Sequence, residues 1–209
     1  GGYTYLKPKQ FYKKLKDLAK KIKFKNNFYI GADHLGPLPW KNLNDHVAMK
    51  NSIKLFKDVV NSGYNKIHID TGIKLKNDKI LSKKKIIQRC EKIFNSISKK
   101  KLNNIFFVFG TEVPVAGGGT LYNSKTTSLA SIKDDLKYYS KLQKSFSLVI
   151  EPGLGFNNSK VFDLKIKYFK KKKILSRLSN FSYEAHSSDF QNSLTLKKLV
   201  KNNFKFLKV

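Results

Sequence analysis

Lys66-Ile67-His68-Ile69-Asp70 is a short run of alternating character. As a strand it turns Ile67 and Ile69 to one side and Lys66, His68 and Asp70 to the other. The chain around it reads as helix. Upstream, Val47, Ile53, Phe56, Val59 and Val60 recur at helical spacing up to Gly63. Downstream, Ser82 is placed to cap a helix carrying Ile86, Ile87, Cys90, Ile93, Phe94 and Ile97. The same alternation continues in both directions. Strand-like runs fall at Phe28–Ile30, Ile105–Phe109, Leu148–Ile150, Phe181–Tyr183 and Phe204–Val209. Further helices are predicted around Phe11–Ile22 (opened by Pro8), after Ser131 with Asp134 as a capping box, through Ile166, Phe169, Ile174 and Leu178, and through Leu194–Val200.

Strand followed by helix, repeated, means parallel strands joined by right-handed crossovers, an α/β class. Most strand starts recur roughly 33 to 43 residues apart, close to a (β/α)8 unit with loop insertions. No Gly-rich dinucleotide fingerprint follows the first strand and no Walker motif occurs. A TIM-barrel type is favoured over a doubly wound sheet, as a single domain over residues 1–209.

Composition narrows the function classes. Of 209 residues, 40% are hydrophobic and 27% charged, enough apolar material for a core. The lone cysteine, Cys90, excludes an internal disulfide and a cysteine-rich zinc knuckle, and it sits on an apolar helix stripe. No apolar run is long enough to span a bilayer, so a cytoplasmic, reducing compartment is expected and a membrane is not. His46, at a helix start, reads as solvated or capping.

The formal charge is +29, from 43 Lys plus Arg against 14 Asp plus Glu. Arg89 and Arg177 are the only arginines, and the lysines are scattered over nearly every predicted helix. That dispersal argues against specific nucleic-acid recognition, which favours arginine and a concentrated face. Duplex DNA is therefore expected to bind only non-specifically and to be released by ~200 mM salt. Retention in a filter-binding assay at that salt would contradict the reading.

The scarce acids and histidines collect at strand ends: Asp33-His34, His68 and Asp70, Glu112 after Gly110-Thr111, Glu151, then Glu184 and His186 followed by Asp189. In a barrel those ends share one mouth, where active sites are built. Glu184 and His186 have the same parity, as do Lys66, His68 and Asp70. A buried cluster of imidazoles and carboxylates needs compensating charge. A divalent metal such as zinc is the simplest candidate, and an internal network of His–Asp hydrogen bonds with lysines is the alternative. The run Pro114–Gly119, with Gly117 and Gly118, offers successive backbone amides for an anion or serves as a flexible turn. Lys66 near the mouth suits a sugar phosphate.

Taken in order, these segments resemble one family across the whole chain. They are Gly1-Gly2-Tyr3-Thr4, Gly31-Ala32-Asp33-His34-Leu35-Gly36-Pro37 with Trp40, Lys66–Asp70, Gly110-Thr111-Glu112-Val113-Pro114 and Pro152-Gly153. They continue with Glu184-Ala185-His186-Ser187-Ser188-Asp189-Phe190-Gln191 and Phe206-Leu207-Lys208-Val209. The resemblance is to the accessory, so-called non-catalytic, subunit of class II D-tagatose-1,6-bisphosphate aldolase, the GatZ/KbaZ type. It implies a (β/α)8 barrel, a role in galactitol and N-acetylgalactosamine breakdown, and a separate zinc-dependent aldolase subunit as partner. Some relatives are described as epimerases interconverting fructose 6-phosphate and tagatose 6-phosphate. On that enzyme alternative, His34, His68 and His186 hold the metal and Asp33, Glu112 and Glu184 supply the catalytic ligand or base. Lys66, Asp70, Gly117, Gly118 and Asp189 then contact substrate. The chain departs from the family at Ala32, at Leu38, at Thr71-Gly72-Ile73 and at Gly155, where a glutamate is usual.

Against that family the chain reads as an internal fragment carrying strands three to eight. Six strands cannot close a barrel built for eight, so an open, curved sheet is expected. Phe106 or Phe107 would then be partly bared, and the fragment would be marginally stable.

Overall fold

The computed structural model describes residues 4–111, 126–157, 159–164 and 181–208. Six strands form one sheet in the order β1-β2-β3-β4-β7-β8, with β1 and β8 at the two ends of that order. The strands are β1 (Gly31–Leu35), β2 (Lys66–Ile69), β3 (Phe106–Phe109), β4 (Phe146–Val149), β7 (Phe181–Ala185) and β8 (Phe204–Leu207). The pairs β1–β2, β3–β4, β4–β7 and β7–β8 are parallel. This is the parallel α/β sheet that the strand–helix alternation predicts, an incomplete barrel as the family resemblance implies. A separate antiparallel pair joins β5 (Gly155–Phe156) to β6 (Val161–Phe162). The chain divides into two compact units, Gly1–Phe107 and Val108–Val209.

In the first unit, α1 (Pro8–Lys21), α2 (Asp45–Asn61) and α3 (Lys83–Phe94) lie where the apolar spacing places them. Pro8 opens α1, while Asn44 and Ser82 cap α2 and α3 by accepting from the Val47 and Lys85 amides. Ile67 and Ile69 are fully buried with Met49, Phe56, Val59, Ile87, Ile93 and Phe94. Phe107 packs between Phe56 and Phe94, at ring distances of 6.5 and 5.0 Å. Its neighbour Phe106 is 47% exposed and touches only part of its surface to Tyr29. Of the two phenylalanines expected to be bared, Phe106 is and Phe107 is not, because strand parity sends Phe107 toward the helices. Cys90 is buried as the apolar stripe predicts, and burial pushes its thiol well above the usual range.

One strand lies later than expected. The predicted run Phe28–Ile30 precedes β1, which occupies Gly31–Leu35. The Ile30 amide is taken by the Asn65 side chain at 2.7 Å, and the Ile30 carbonyl accepts from the Asn65 amide. Ladder pairing then starts at Gly31 opposite Lys66.

In the second unit, α4 (Leu129–Tyr139) begins at Ser128, whose hydroxyl accepts from the Ser131 amide. Ser131 is thus the third residue of the helix rather than its cap. The last helix, α5 (Ser193–Lys201), is capped by Asn192. Phe109 stacks on Tyr139 at 4.9 Å and meets Phe146 edge-on, and Tyr183 packs against Phe204. The helix predicted through Ile166–Leu178 falls outside the described residues. No helix among the described residues is long and apolar enough to cross a membrane.

Candidate functional site

The end of β1 is built on a bulge. Gly31 pairs with Lys66 and Ala32 with Ile67, but the next pair is Leu35 with Ile69. Two residues, Asp33 and His34, therefore stand opposite the single residue His68. His34 adopts φ +49°, a left-handed conformation unusual for a residue with a Cβ. In a regular strand Asp33 and His34 would point to opposite faces. Here both reach the face that carries Lys66, His68 and Asp70. Asp33 Oδ1 accepts from Lys66 Nζ at 2.7 Å, and the His34 ring lies 5.1 Å from the His68 ring. His34 Nδ1 is 3.4 Å from Asp70 Oδ2, and Asp70 Oδ1 accepts from the Gly72 amide at 2.9 Å. Lys66 and His68 are buried, Asp70 and His34 half-buried, Asp33 exposed. The Asp33 carboxylate at Lys66 offsets the cost of burying an ammonium.

In the second unit β7 presents Glu184 and His186 from one face, as their parity predicts. Glu184 Oε1 and His186 Nε2 are 2.9 Å apart, with both side chains buried. Ser187 follows at φ +53°, and Ser188 is tied to the Lys208 carbonyl through its amide and hydroxyl. Glu151, buried at the end of β4, accepts from the Gly153 amide at 3.0 Å and so braces its own turn. Asp189 is half-buried. Glu112, Gly117 and Gly118 lie outside the described residues.

In the first unit the buried His68 lies against the His34 ring, and Asp33 with Lys66 adds a charge pair beside them. In the second unit Glu184 and His186, both buried, set a carboxylate beside an imidazole. Imidazoles and carboxylates are ligand types that zinc accepts.

The chain matches the family described as D-tagatose-1,6-bisphosphate aldolase subunit GatZ/KbaZ-like over residues 1–209. It is 29% identical over 230 residues to the D-tagatose-1,6-bisphosphate aldolase subunit GatZ of Escherichia coli O6:H1, covering 100% of this chain and 54% of that one. It is 27% identical over 227 residues to the subunit of the same name in Klebsiella pneumoniae, again covering 54% of the relative. The chain thus spans about half the length of these relatives. Among solved structures it is similar to a probable tagatose 6 phosphate kinase from Sinorhizobium meliloti 1021, with TM-score 0.85 and 24% identity. That match covers 100% of this chain and 54% of the other, and it supports the fold alone.

Proposed function

This chain belongs to the GatZ/KbaZ-like family of D-tagatose-1,6-bisphosphate aldolase subunits, and on that premise we propose that it serves as the accessory subunit of such an aldolase. Its partner on this reading is the catalytic class II, zinc-dependent aldolase subunit, its ligand a sugar phosphate, and its place the cytoplasm. The observation that carries the reading is the family match over every residue of the chain.

A second reading, a metal-dependent ketose-phosphate 4-epimerase, draws on the buried Glu184–His186 pair of the second unit and on the buried His68 of the first. A bare scaffold has no need to bury such groups. Their chemistry suits a divalent ion such as zinc, with His34, His68 and His186 as the proposed ligands. Such an ion would supply Lewis-acid polarisation of a sugar carbonyl or hydroxyl oxygen. Lys66 would donate to a sugar or phosphate oxygen while Asp33 accepts from a neighbouring hydroxyl, so that the pair orients the substrate. Asp33 or Glu184 would move the proton, with Glu112 as the third candidate carboxylate. Asp70 and Asp189 would line the sugar, and Gly117 and Gly118 would meet its phosphate through backbone amides.

The two readings separate in one experiment on the complete protein, supplied with Zn2+. It is incubated with tagatose 1,6-bisphosphate or fructose 6-phosphate, with and without a class II aldolase subunit. The accessory reading expects no turnover alone and a several-fold rise in aldol cleavage when both subunits are present. Formation of tagatose 6-phosphate from fructose 6-phosphate by this protein alone would overturn it in favour of the epimerase.

A further inference from the structure

We propose that the β5–β6 hairpin is a flap over the carboxyl ends of β4 and β7, with Gln191 as the latch that holds it down. The inference draws on the reading of those strand ends as a ligand site only for what the flap admits. The flap itself follows from contacts within the second unit.

The hairpin carries little structure of its own. Its ladder has two pairs, Gly155 with Phe162 and Phe156 with Val161, and it joins no larger sheet among the described residues. Two strands of that length are not stable alone in water. The Asn157 side chain accepts from the Ser159 and Lys160 amides at 3.0 and 2.8 Å, so the far end is a compact turn that moves as a piece. At the near end Leu154 and Leu164 are buried and anchor the two strands. The hairpin is also fastened to the turn after β7. Gln191 Nε2 donates to the Gly155 carbonyl at 3.5 Å and to the Phe162 carbonyl at 3.2 Å, so one amide spans both strands at a single ladder pair. The Phe156 ring meets the Phe190 ring edge-on at 5.1 Å.

These fastenings suit a latch that opens. Both hydrogen bonds are long, and Phe190 is 77% exposed despite its ring contact. Gln191 Oε1 is buried and accepts no hydrogen bond from the described residues, a cost that opening to water removes. Phe190 is held at φ +59°, which a bulky residue rarely adopts and which persists where contacts enforce it. Weak contacts opposed by local strain leave an open state that a ligand can select. Position gives the motion its consequence. The hairpin follows Glu151 at the end of β4, Gln191 follows His186 at the end of β7, and β4 pairs with β7. Glu151, Glu184 and His186 are all buried, although they stand at the strand ends where a barrel opens its mouth. A sugar phosphate reaches them by displacing the hairpin.

The test compares the complete wild-type protein with Gln191→Met, which keeps the length of the side chain and removes its donors. Hydrogen exchange read by mass spectrometry should speed up about ten-fold over residues 155–162 and stay unchanged over β4 and β7. Diethyl pyrocarbonate labelling of His186 should rise in step, while that of the exposed His46 should not. Unchanged exchange in the hairpin would overturn the latch. Faster exchange with unchanged His186 labelling would overturn the flap, since the hairpin then covers nothing. If Gln191→Met loosens the whole sheet, Phe190→Ala decides, because an exposed ring can be removed without unfolding. There the hairpin should exchange roughly three-fold faster, and wild-type exchange would count against the proposal. Fructose 6-phosphate is then added to the wild type, where slower hairpin exchange is expected. No slowing beside the expected variant results would defeat the sugar-phosphate reading and sustain the flap.

Discussion

Arg89→Met is expected to destabilise the first unit by about 3–5 kcal/mol, the range for stripping one partner from a buried ion pair. Arg89 is buried on α3, and its guanidinium bonds both oxygens of Asp78 at 2.9 and 2.8 Å, Asp45 through two nitrogens, and the Ile73 carbonyl at 3.2 Å. Asp78 is itself buried and also takes Lys85 Nζ and the Leu75 amide. The network ties the loop after β2 to α3 and to the start of α2. Burial by itself would push the Asp78 carboxyl up. Hydrogen bonds from Lys85, the Leu75 amide and Arg89, with the Arg89 charge, outweigh it and bring the group down to about 2. A depressed carboxylate contributes stability above its unfolded pKa and loses that contribution as pH falls through the folded value. The window therefore runs from about pH 4 to about pH 2, and the contribution is roughly 2 kcal/mol. Urea melts at pH 7 and pH 3 check both statements. In the wild type the network should survive to pH 3 in large part. In Arg89→Met the acid loss should begin at higher pH. Arg89→Lys should recover only part of the difference, since one ammonium cannot span Asp45, Asp78 and the Ile73 carbonyl together. A melt of Arg89→Met within 1 kcal/mol of wild type at pH 7 would show the network to be dispensable.

The unequal legibility of these features in the sequence has a physical cause. Helices α1, α2 and α3 were readable because their apolar spacing and their caps are local. The sharing of one face by Glu184 and His186, like that by Lys66 and His68, followed from the two-residue period of a strand. The position of β1 did not, because Gly31-Ala32-Asp33-His34 has little β propensity and its ladder partner lies 35 residues away. The bulge is subtler still. It exists only as a mismatch in count between β1 and β2, and nothing within either segment marks it. Yet it brings Asp33 and His34 to a common face, which alternation alone forbids. The Arg89 network was likewise invisible, since its acids lie 44 residues before and 11 residues before the arginine in sequence. Arginine was informative in the sequence only by its scarcity. In the fold, Arg89 is committed to the interior.

Gly36→Ala is expected to cost at least about 3 kcal/mol and to disturb the site as well as the fold. The reason is contact rather than backbone freedom, since Gly36 does not occupy the left-handed region. A Cβ at residue 36 would stand 1.7 Å from the Asp70 carbonyl oxygen and 2.9 Å from its carbonyl carbon. Both are backbone atoms at the end of β2, so no side-chain rotation relieves the overlap. One strand end must move by more than 1 Å, roughly, to regain van der Waals distance. The chain there has little slack. The Leu35 carbonyl, next to Gly36, accepts the Asp70 amide, and the Asp70 side chain reaches both Gly72 and His34. Pushing residue 70 away therefore breaks the hydrogen bond that β1 makes at its end and carries the carboxylate off His34. Gly31→Ala is the control on the same strand. Its new methyl would press only on the Lys66 Cδ at 3.2 Å, a flexible side chain that can yield, while the Lys66 Cβ and carbonyl oxygen at 3.8 and 3.9 Å are in ordinary contact, so its cost should stay below about 1 kcal/mol. Urea unfolding of both variants reads the stability difference, and the His34 ring 15N shifts read the displacement of Asp70. Equal stabilities for the two variants would mean that β1 and β2 separate more easily than their register implies. An unchanged His34 signal in a destabilised Gly36→Ala would uncouple the close approach at Gly36 from the orientation of the imidazole.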